Sequence, residues 1–204
     1  MQENNFIIPK NSAAKINIEK NNWFKEFPYS PVVSAALWHD SKALFIEFEV
    51  KEYATMANVT EDNGEVWTDS CVEFFISFDD AGYYNFEFSC IGKLLLAFRK
   101  EKPNPTYANS EVLSLIKRCS TLGNKPFSER ISKTPQLWKI SVEIPIEAFF
   151  KHNFSSFNGV EASANLYKCG DNLAAPHFLS WNPIDTPTPN FHKPEFFAKI
   201  KFES

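Results

Sequence analysis

The sequence predicts an all-β chain, an antiparallel β-sandwich of the jelly-roll kind with about ten strands and minor helical turns. Three observations carry that prediction. Apolar residues recur at every second position through several short runs, polar or proline-bearing turns separate the runs, and no stretch has the spacing of a long amphipathic helix or an internal repeat. A length of 204 residues suits one domain, 1–204, around one core. The 21 Phe against 2 Met fit a packed interior, where rigid rings bury large apolar areas. A closed barrel is the rival architecture.

The elements follow in order. Ala43 to Val50 is the cleanest strand, with Leu44, Ile46, Phe48 and Val50 alternating with Phe45, Glu47 and Glu49. VSAALWHDSK before it supplies a partner strand and a turn at His39 to Lys42. A long connection is expected from Lys51 to Trp67. Then VWTDSCVEFFISFDDAGYYNFEFSCIG, Val66 to Gly92, reads as a hairpin with its turn at Asp79 to Gly82. In it Val72, Phe74 and Ile76 share one parity, and Asp69, Cys71 and Glu73 the other. Phe86 and Phe88 likewise oppose Asn85, Glu87 and Ser89. Lys93 to Arg99 continues as a strand, and the prolines of EKPNPTYANSE, which lack an N–H, break the sheet. Glu111 to Leu122 suits either strand or short helix. Leu137 to Ile144 is a strand, Pro145 to Phe150 a helical turn opened by proline, and Val160 to Lys168 a further strand. Short extended pieces around Phe178 to Trp181 and Phe197 to Phe202 close the chain.

Charge and cysteine usage exclude several function classes. The net charge of −4 is spread without a basic patch, which argues against a nucleic-acid partner. Cys71, Cys90, Cys119 and Cys169 lack CxxC spacing, are too scattered for a zinc site or a disulfide framework, and read as buried thiols, with a Cys119–Cys169 bridge left open. The histidines show no HExxH spacing, and neither a phosphate loop nor a GxSxG elbow is present. His177 reads as a buried ring with satisfied nitrogens, although Met56 and His177 are the pair a haem would require. Asp62, Glu65, Asp79 and Asp80 read as solvated turn residues rather than a calcium loop. The N-terminus MQENNFIIPKNSAAK has neither a signal peptide nor a membrane span, so the chain is expected to be cytoplasmic unless a leader has been removed, with no membrane partner.

The hairpin carries the candidate site. Trp67 is placed at a sheet edge, where its indole offers a flat platform to the C–H face of a sugar ring. Covering roughly 50 Å² at ~25 cal/mol/Å² contributes about 1 kcal/mol. Glu73, Glu87 and Ser89 fall on the expected solvent-facing parity of adjacent strands, where they would accept hydrogen bonds from hydroxyls. Two of Asp69, Glu73 and Glu87 at suitable separation would instead act as the carboxyl pair of a glycoside hydrolase.

VWTDSCVEFFISF, YYNFEFSCIG and SWNPI followed by FHKPEFFAKIKF together resemble the family 9 carbohydrate-binding modules, in particular their free-standing members. The resemblance spans most of the chain from about Ile16 onward. It implies a non-catalytic sandwich that holds a glycan end or small sugar between two aromatic rings. Trp67 keeps the family's six-residue distance to a ligand-binding Glu, here Glu73. Glu87 and Ser89 match the strand that carries Arg and Asn in the enzyme-attached members, so an anion replaces a cation and a different hydroxyl pattern is expected. The second clamp ring matches Phe191, where the family has Trp, and Thr188 takes the place of a ligand-binding Asn. Trp181 matches a core tryptophan. No cofactor is expected beyond the structural calcium that the resemblance implies, and the expected partners are a saccharide or oligosaccharide and a glycan-degrading enzyme.

Overall fold

The computed structural model describes residues 5–100 and 104–204; residues 1–4 and 101–103 lie outside them. Two sheets face each other, and among the described residues every pairing of named strands except one is antiparallel. The larger runs β1 (Phe6–Ile8), β13 (Ala198–Phe202), β11 (Glu161–Cys169), β5 (Cys71–Asp79), β6 (Gly82–Ser89), β7 (Leu94–Arg99) and β8 (Thr106–Tyr107), with β12 (Phe178–Ser180) also on β11. The parallel pair is β1 with β13. The smaller sheet runs β2 (Ala14–Asn17), β3 (Val32–His39), β4 (Ala43–Ala57), β10 (Phe127–Pro145) and β9 (Lys117–Ser120). No helix among the described residues is long and apolar enough to cross a membrane.

The main core lies between the sheets and is made by the parities that alternation singled out. Val72, Phe74 and Ile76 of β5 and Phe86 and Phe88 of β6 meet Leu44, Ile46, Phe48 and Val50 of β4 and Trp138, Ile140, Val142 and Ile144 of β10, all buried. Trp181 packs on its margin, edge-on to Phe6 at 5.2 Å. The hairpin turn forms at Gly82, whose φ of 148° brings its Cα so close to β7 that a Cβ would stand 2.3 Å from the Arg99 carbonyl oxygen.

Four features depart from the sequence reading. The connection expected from Lys51 is still strand as far as Ala57, with Glu52 and then all of Ala54, Thr55, Met56 and Ala57 buried. The ambiguous stretch after Asn109 is both things in turn: α1 (Ser110–Leu115), capped by Asn109 Oδ1 accepting from Val112 N at 2.9 Å, and then β9. The stretch whose prolines are expected to break the sheet contains β8, which pairs with β7. Finally, the outer face of the large sheet is not open to solvent, because Trp23, Ile184, Phe191 and Phe197 lie over Cys71, Phe75, Tyr83, Leu95 and Tyr167 as a second apolar cluster.

A buried charge cluster ties the sheets together at one end. Lys168 faces inward from β11, 2.9 Å from Glu52 Oε2 on β4, with both side chains fully buried. Its ammonium donates to the Cys169 carbonyl at 2.8 Å and to His177 Nε2 at 2.7 Å. A lysine offers only donors, so Nε2 is an acceptor and the proton of a neutral His177 sits on Nδ1, which donates to Ala175 O at 2.9 Å. Both ring nitrogens are thereby satisfied, which leaves neither for a haem iron. Trp138 Nε1 completes the cluster by donating to Glu52 Oε1 at 2.8 Å.

Candidate binding cleft

The cover over the outer face is incomplete, and the gap is a cleft of about 250 Å³. Its floor belongs to the large sheet. Glu73 of β5 stands directly across from Glu87 of β6 on one side and Tyr167 of β11 on the other, and Cys71 is opposite Cys169. Glu73 and Glu87 are each 3% exposed, far more buried than their parity alone suggested. Asn85 Nδ2 donates to Glu87 Oε1 at 2.8 Å, while Asn85 Oδ1 accepts from Arg99 Nε at 3.1 Å. One amide therefore holds an anion and a cation side by side in the cleft, as its two ends require.

The walls come from loops. Trp67 sits in a single helical turn, Val66–Thr68, anchored by buried Val66. Its carbonyl accepts from Asp171 N at 3.2 Å, and the Thr68 carbonyl accepts from Asn172 N at 3.2 Å, so the turn is docked by its backbone. The Trp67 ring is half-buried, lines the cleft and has no ring partner among the described residues. The other loop that lines the cleft is the segment punctuated by Pro183, Pro187, Pro189 and Pro194. There Phe191 stacks on Tyr167, with centroids 4.2 Å apart and planes at 8°, and Tyr167 donates its hydroxyl proton to the Phe191 carbonyl at 3.2 Å. His192 Nδ1 lies 2.9 Å from the Tyr83 hydroxyl, and Asn190 Oδ1 accepts from His192 N at 3.1 Å.

Burial, followed by the neighbouring Glu87 carboxylate, holds Glu73 well above the ordinary carboxyl range. Cys169 Sγ donates to Glu73 Oε1 at 3.1 Å. Asp171 at the rim is pushed up to about 6 by burial, and the Cys71 thiol, for the same first reason, up to about 12. The floor is therefore a hydrogen-bonding surface that carries less negative charge than its carboxyl count implies.

Of the residues singled out from the sequence, Trp67, Glu73, Glu87 and Phe191 line this one cleft. Ser89 and Thr188 do not line it. Ser89 is buried at the end of β6, where its Oγ accepts from Lys93 N at 3.1 Å and shapes the β6–β7 turn. Thr188 is exposed, and its carbonyl takes the Thr186 hydroxyl at 3.0 Å. Asp69 is fully buried elsewhere, its two oxygens accepting from Asn58 N and Val59 N at 2.9 Å each, so it is a backbone brace rather than a partner in an acid pair. Arg99, Asp171, Asn190 and His192 line the cleft and were not foreseen. For Arg99 the signal was parity, since it shares a face with Leu95 and Ala97; the others lie in loops that alternation does not order.

Calcium takes hard oxygen ligands. Asp62 spends its carboxylate on Arg118 Nη1 at 2.8 Å and Leu94 N at 3.0 Å, and Asp79 Oδ1 accepts from Ala81 N at 2.8 Å. Among the described residues, the group of three or more His, Cys, Asp or Glu side chains whose donor atoms converge is Cys71, Glu73 and Cys169, which is rich in sulfur instead. Cys119 is exposed on β9 in the other sheet, and all four cysteines are free.

A family model described as carbohydrate-binding family 9 matches residues 2–202. Among solved structures, the chain is similar to a protein from Bacteroides uniformis ATCC 8492, provisionally named as carbohydrate-binding, at 36% sequence identity and a TM-score of 0.91, over 98% of this chain and 100% of that one. It is also similar to a family 9 carbohydrate-binding module from Caldicellulosiruptor kristjanssonii in complex with glucose, at 14% identity and a TM-score of 0.56, over 98% of this chain and 96% of that one. The corresponding structure with cellotriose gives 13% identity and a TM-score of 0.55, over 98% and 94%. At such identities the likeness is one of fold. Comparison with curated proteins finds no match.

Proposed function

The chain belongs to carbohydrate-binding family 9, and from that membership we propose that its cleft holds a free sugar or the end of a glycan without cleaving it. The observation that carries this reading is that Trp67, an aromatic ring with no ring neighbour among the described residues, lines one cleft of about 250 Å³ together with Phe191, Glu73, Glu87 and Arg99. Trp67 stacks on the ring face. Phe191, pinned by Tyr167, limits the opposite side. Arg99 donates to ring or hydroxyl oxygens, while the Glu73–Glu87 pair accepts from hydroxyls.

The volume supports a terminal ring or short saccharide rather than the length of a polymer, being below the ~300–1,000 Å³ of larger ligand pockets. The Caldicellulosiruptor modules with glucose and cellotriose are consistent with ligands of that size. An affinity in the micromolar to millimolar range, about 4–8 kcal/mol, is expected. A non-catalytic role is supported by the family membership and by Asp69, the third candidate carboxyl, being occupied in bracing the backbone. Binding without turnover suits a chain that works beside a glycan-degrading enzyme. A glycan-array screen tests the reading, with each hit recovered and analysed for chemical change. Saturable retention of an unchanged saccharide is the expected result; a cleaved one would transfer the function to hydrolysis.

A further inference from the structure

We propose that the inner end of the cleft is a site for a thiophilic divalent cation of the zinc class, bound by Cys71 Sγ, Cys169 Sγ and the Glu73 carboxylate. The three donor atoms lie within 4.8 Å of one another, and Cys169 Sγ is 3.1 Å from Glu73 Oε1. They converge because Cys71 and Cys169 are direct cross-strand partners on β5 and β11, and Glu73 follows Cys71 by two positions on the same face. Linear spacing hides this, since the cysteines are separated by almost half the chain.

The geometry is near what such an ion needs. Metal–sulfur and metal–oxygen bonds of about 2.3 and 2.0 Å at tetrahedral angles put the sulfurs about 3.8 Å apart and each about 3.5 Å from the oxygen. A set already gathered inside 4.8 Å reaches that by small side-chain rotations. Two thiolates and a carboxylate select zinc, cadmium or cobalt(II) over calcium or magnesium. The site has an entrance, since Cys169 and Glu73 line the open cleft. A fourth donor is near, because Asp171 follows Cys169 by two positions and lines the same cleft. The packing alternative, two small buried thiols, does not account for a buried carboxyl beside them that accepts from the Cys169 thiol, a weak donor. Binding exchanges thiol protons for the ion, and two thiolates with one carboxylate around one M²⁺ leave one net negative charge. No redox step is involved, and the proposal stands whether or not the cleft also holds a sugar.

The test is titration of the metal-free, fully reduced protein with Co²⁺. A thiolate-to-cobalt charge-transfer band saturating at one equivalent and displaced by one equivalent of Zn²⁺ is expected. Cys71→Ser and Cys169→Ser should each abolish the band, while Cys119→Ser keeps it. X-ray absorption at the zinc edge of the wild-type complex, which depends on no variant folding, should show two sulfur ligands with oxygen completing the shell. Absence of the band at millimolar cobalt, its survival in the Cys71→Ser/Cys169→Ser variant, its loss in Cys119→Ser, or a sulfur-free zinc shell would each overturn the proposal.

Discussion

Replacing Lys168 by methionine keeps most of the side-chain volume and removes the charge that serves three partners in the interior. The Glu52 carboxylate, fully buried, would keep Trp138 Nε1 at 2.8 Å as its donor and lose its cation at 2.9 Å. The Cys169 carbonyl and His177 Nε2 would lose the donor they now share at 2.8 and 2.7 Å. Breaking a buried pair from one side costs about 3–5 kcal/mol, because the remaining charge has no water to turn to. Against the ~5–15 kcal/mol that holds a typical domain together, that is a large fraction. For a chain of this size it corresponds to a fall in Tm of roughly 6–20 °C. Urea unfolding of wild type, Lys168→Met, Glu52→Gln and the double variant measures the coupling directly. The double variant, with both charges gone, should recover at least about 2 kcal/mol over Lys168→Met. A Lys168→Met protein within about 1 kcal/mol of wild type, or a double variant no better than the single, would refute the view that this cluster pins β11 to β4. The cluster bears on the site because of the flanking residues of the same strand: Cys169 lines the cleft and Tyr167 carries the Phe191 ring.

Other perturbations separate site from scaffold. Trp67→Ala should abolish measurable sugar binding, a loss of tenfold or more, while costing no more than about 1 kcal/mol of stability, as calorimetry and urea unfolding would report together; a large destabilisation would make Trp67 a core residue. Phe191→Ala should lose both, about 2–4 kcal/mol of stability and the sugar, since its ring is 8% exposed and stacked on Tyr167. His177 is held well below its usual range by burial and then by the Lys168 ammonium. Its unfolded form therefore takes up a proton below about pH 6.5 that the native form refuses, so stability is full above that pH and declines as pH falls toward the native value, by up to ~1.4 kcal/mol per unit. Unfolding free energies from pH 7.5 down to 5 should show that slope, and His177→Gln should flatten it.

The sandwich was legible because a strand writes its burial in alternation: Val72, Phe74 and Ile76 against Leu44, Ile46 and Phe48 is a pattern any core-facing pair of sheets must show. The same rule misplaced the outer face. Phe75, Tyr83 and Leu95 are apolar on the parity assigned to solvent, and they signal a second cover. Nothing local says that residues from Trp23 and from the proline-punctuated segment near Phe191 supply it, because such loops are placed by long-range packing. That is why Trp67, Glu73 and Glu87 could be gathered from one hairpin, while Asp171, Asn190 and His192 could not. Ser89 and Thr188 show the converse. Their positions are near the cleft in sequence terms, but one oxygen shapes a turn and the other side chain faces outward. The pairing of Cys71 with Cys169 was hidden for the same reason, since cross-strand register and not spacing brings them together.

The most direct test of the central claim is a site-resolved NMR titration of the wild-type protein with the saccharides that an array retains. The account predicts that the Trp67 indole signal and the backbone amides of Glu73, Glu87, Asn190 and His192 shift together along one saturating curve, with the sugar spectrum otherwise unchanged at the end. Shifts mapping to the five-stranded sheet, or new anomeric signals from a cleaved sugar, would contradict it.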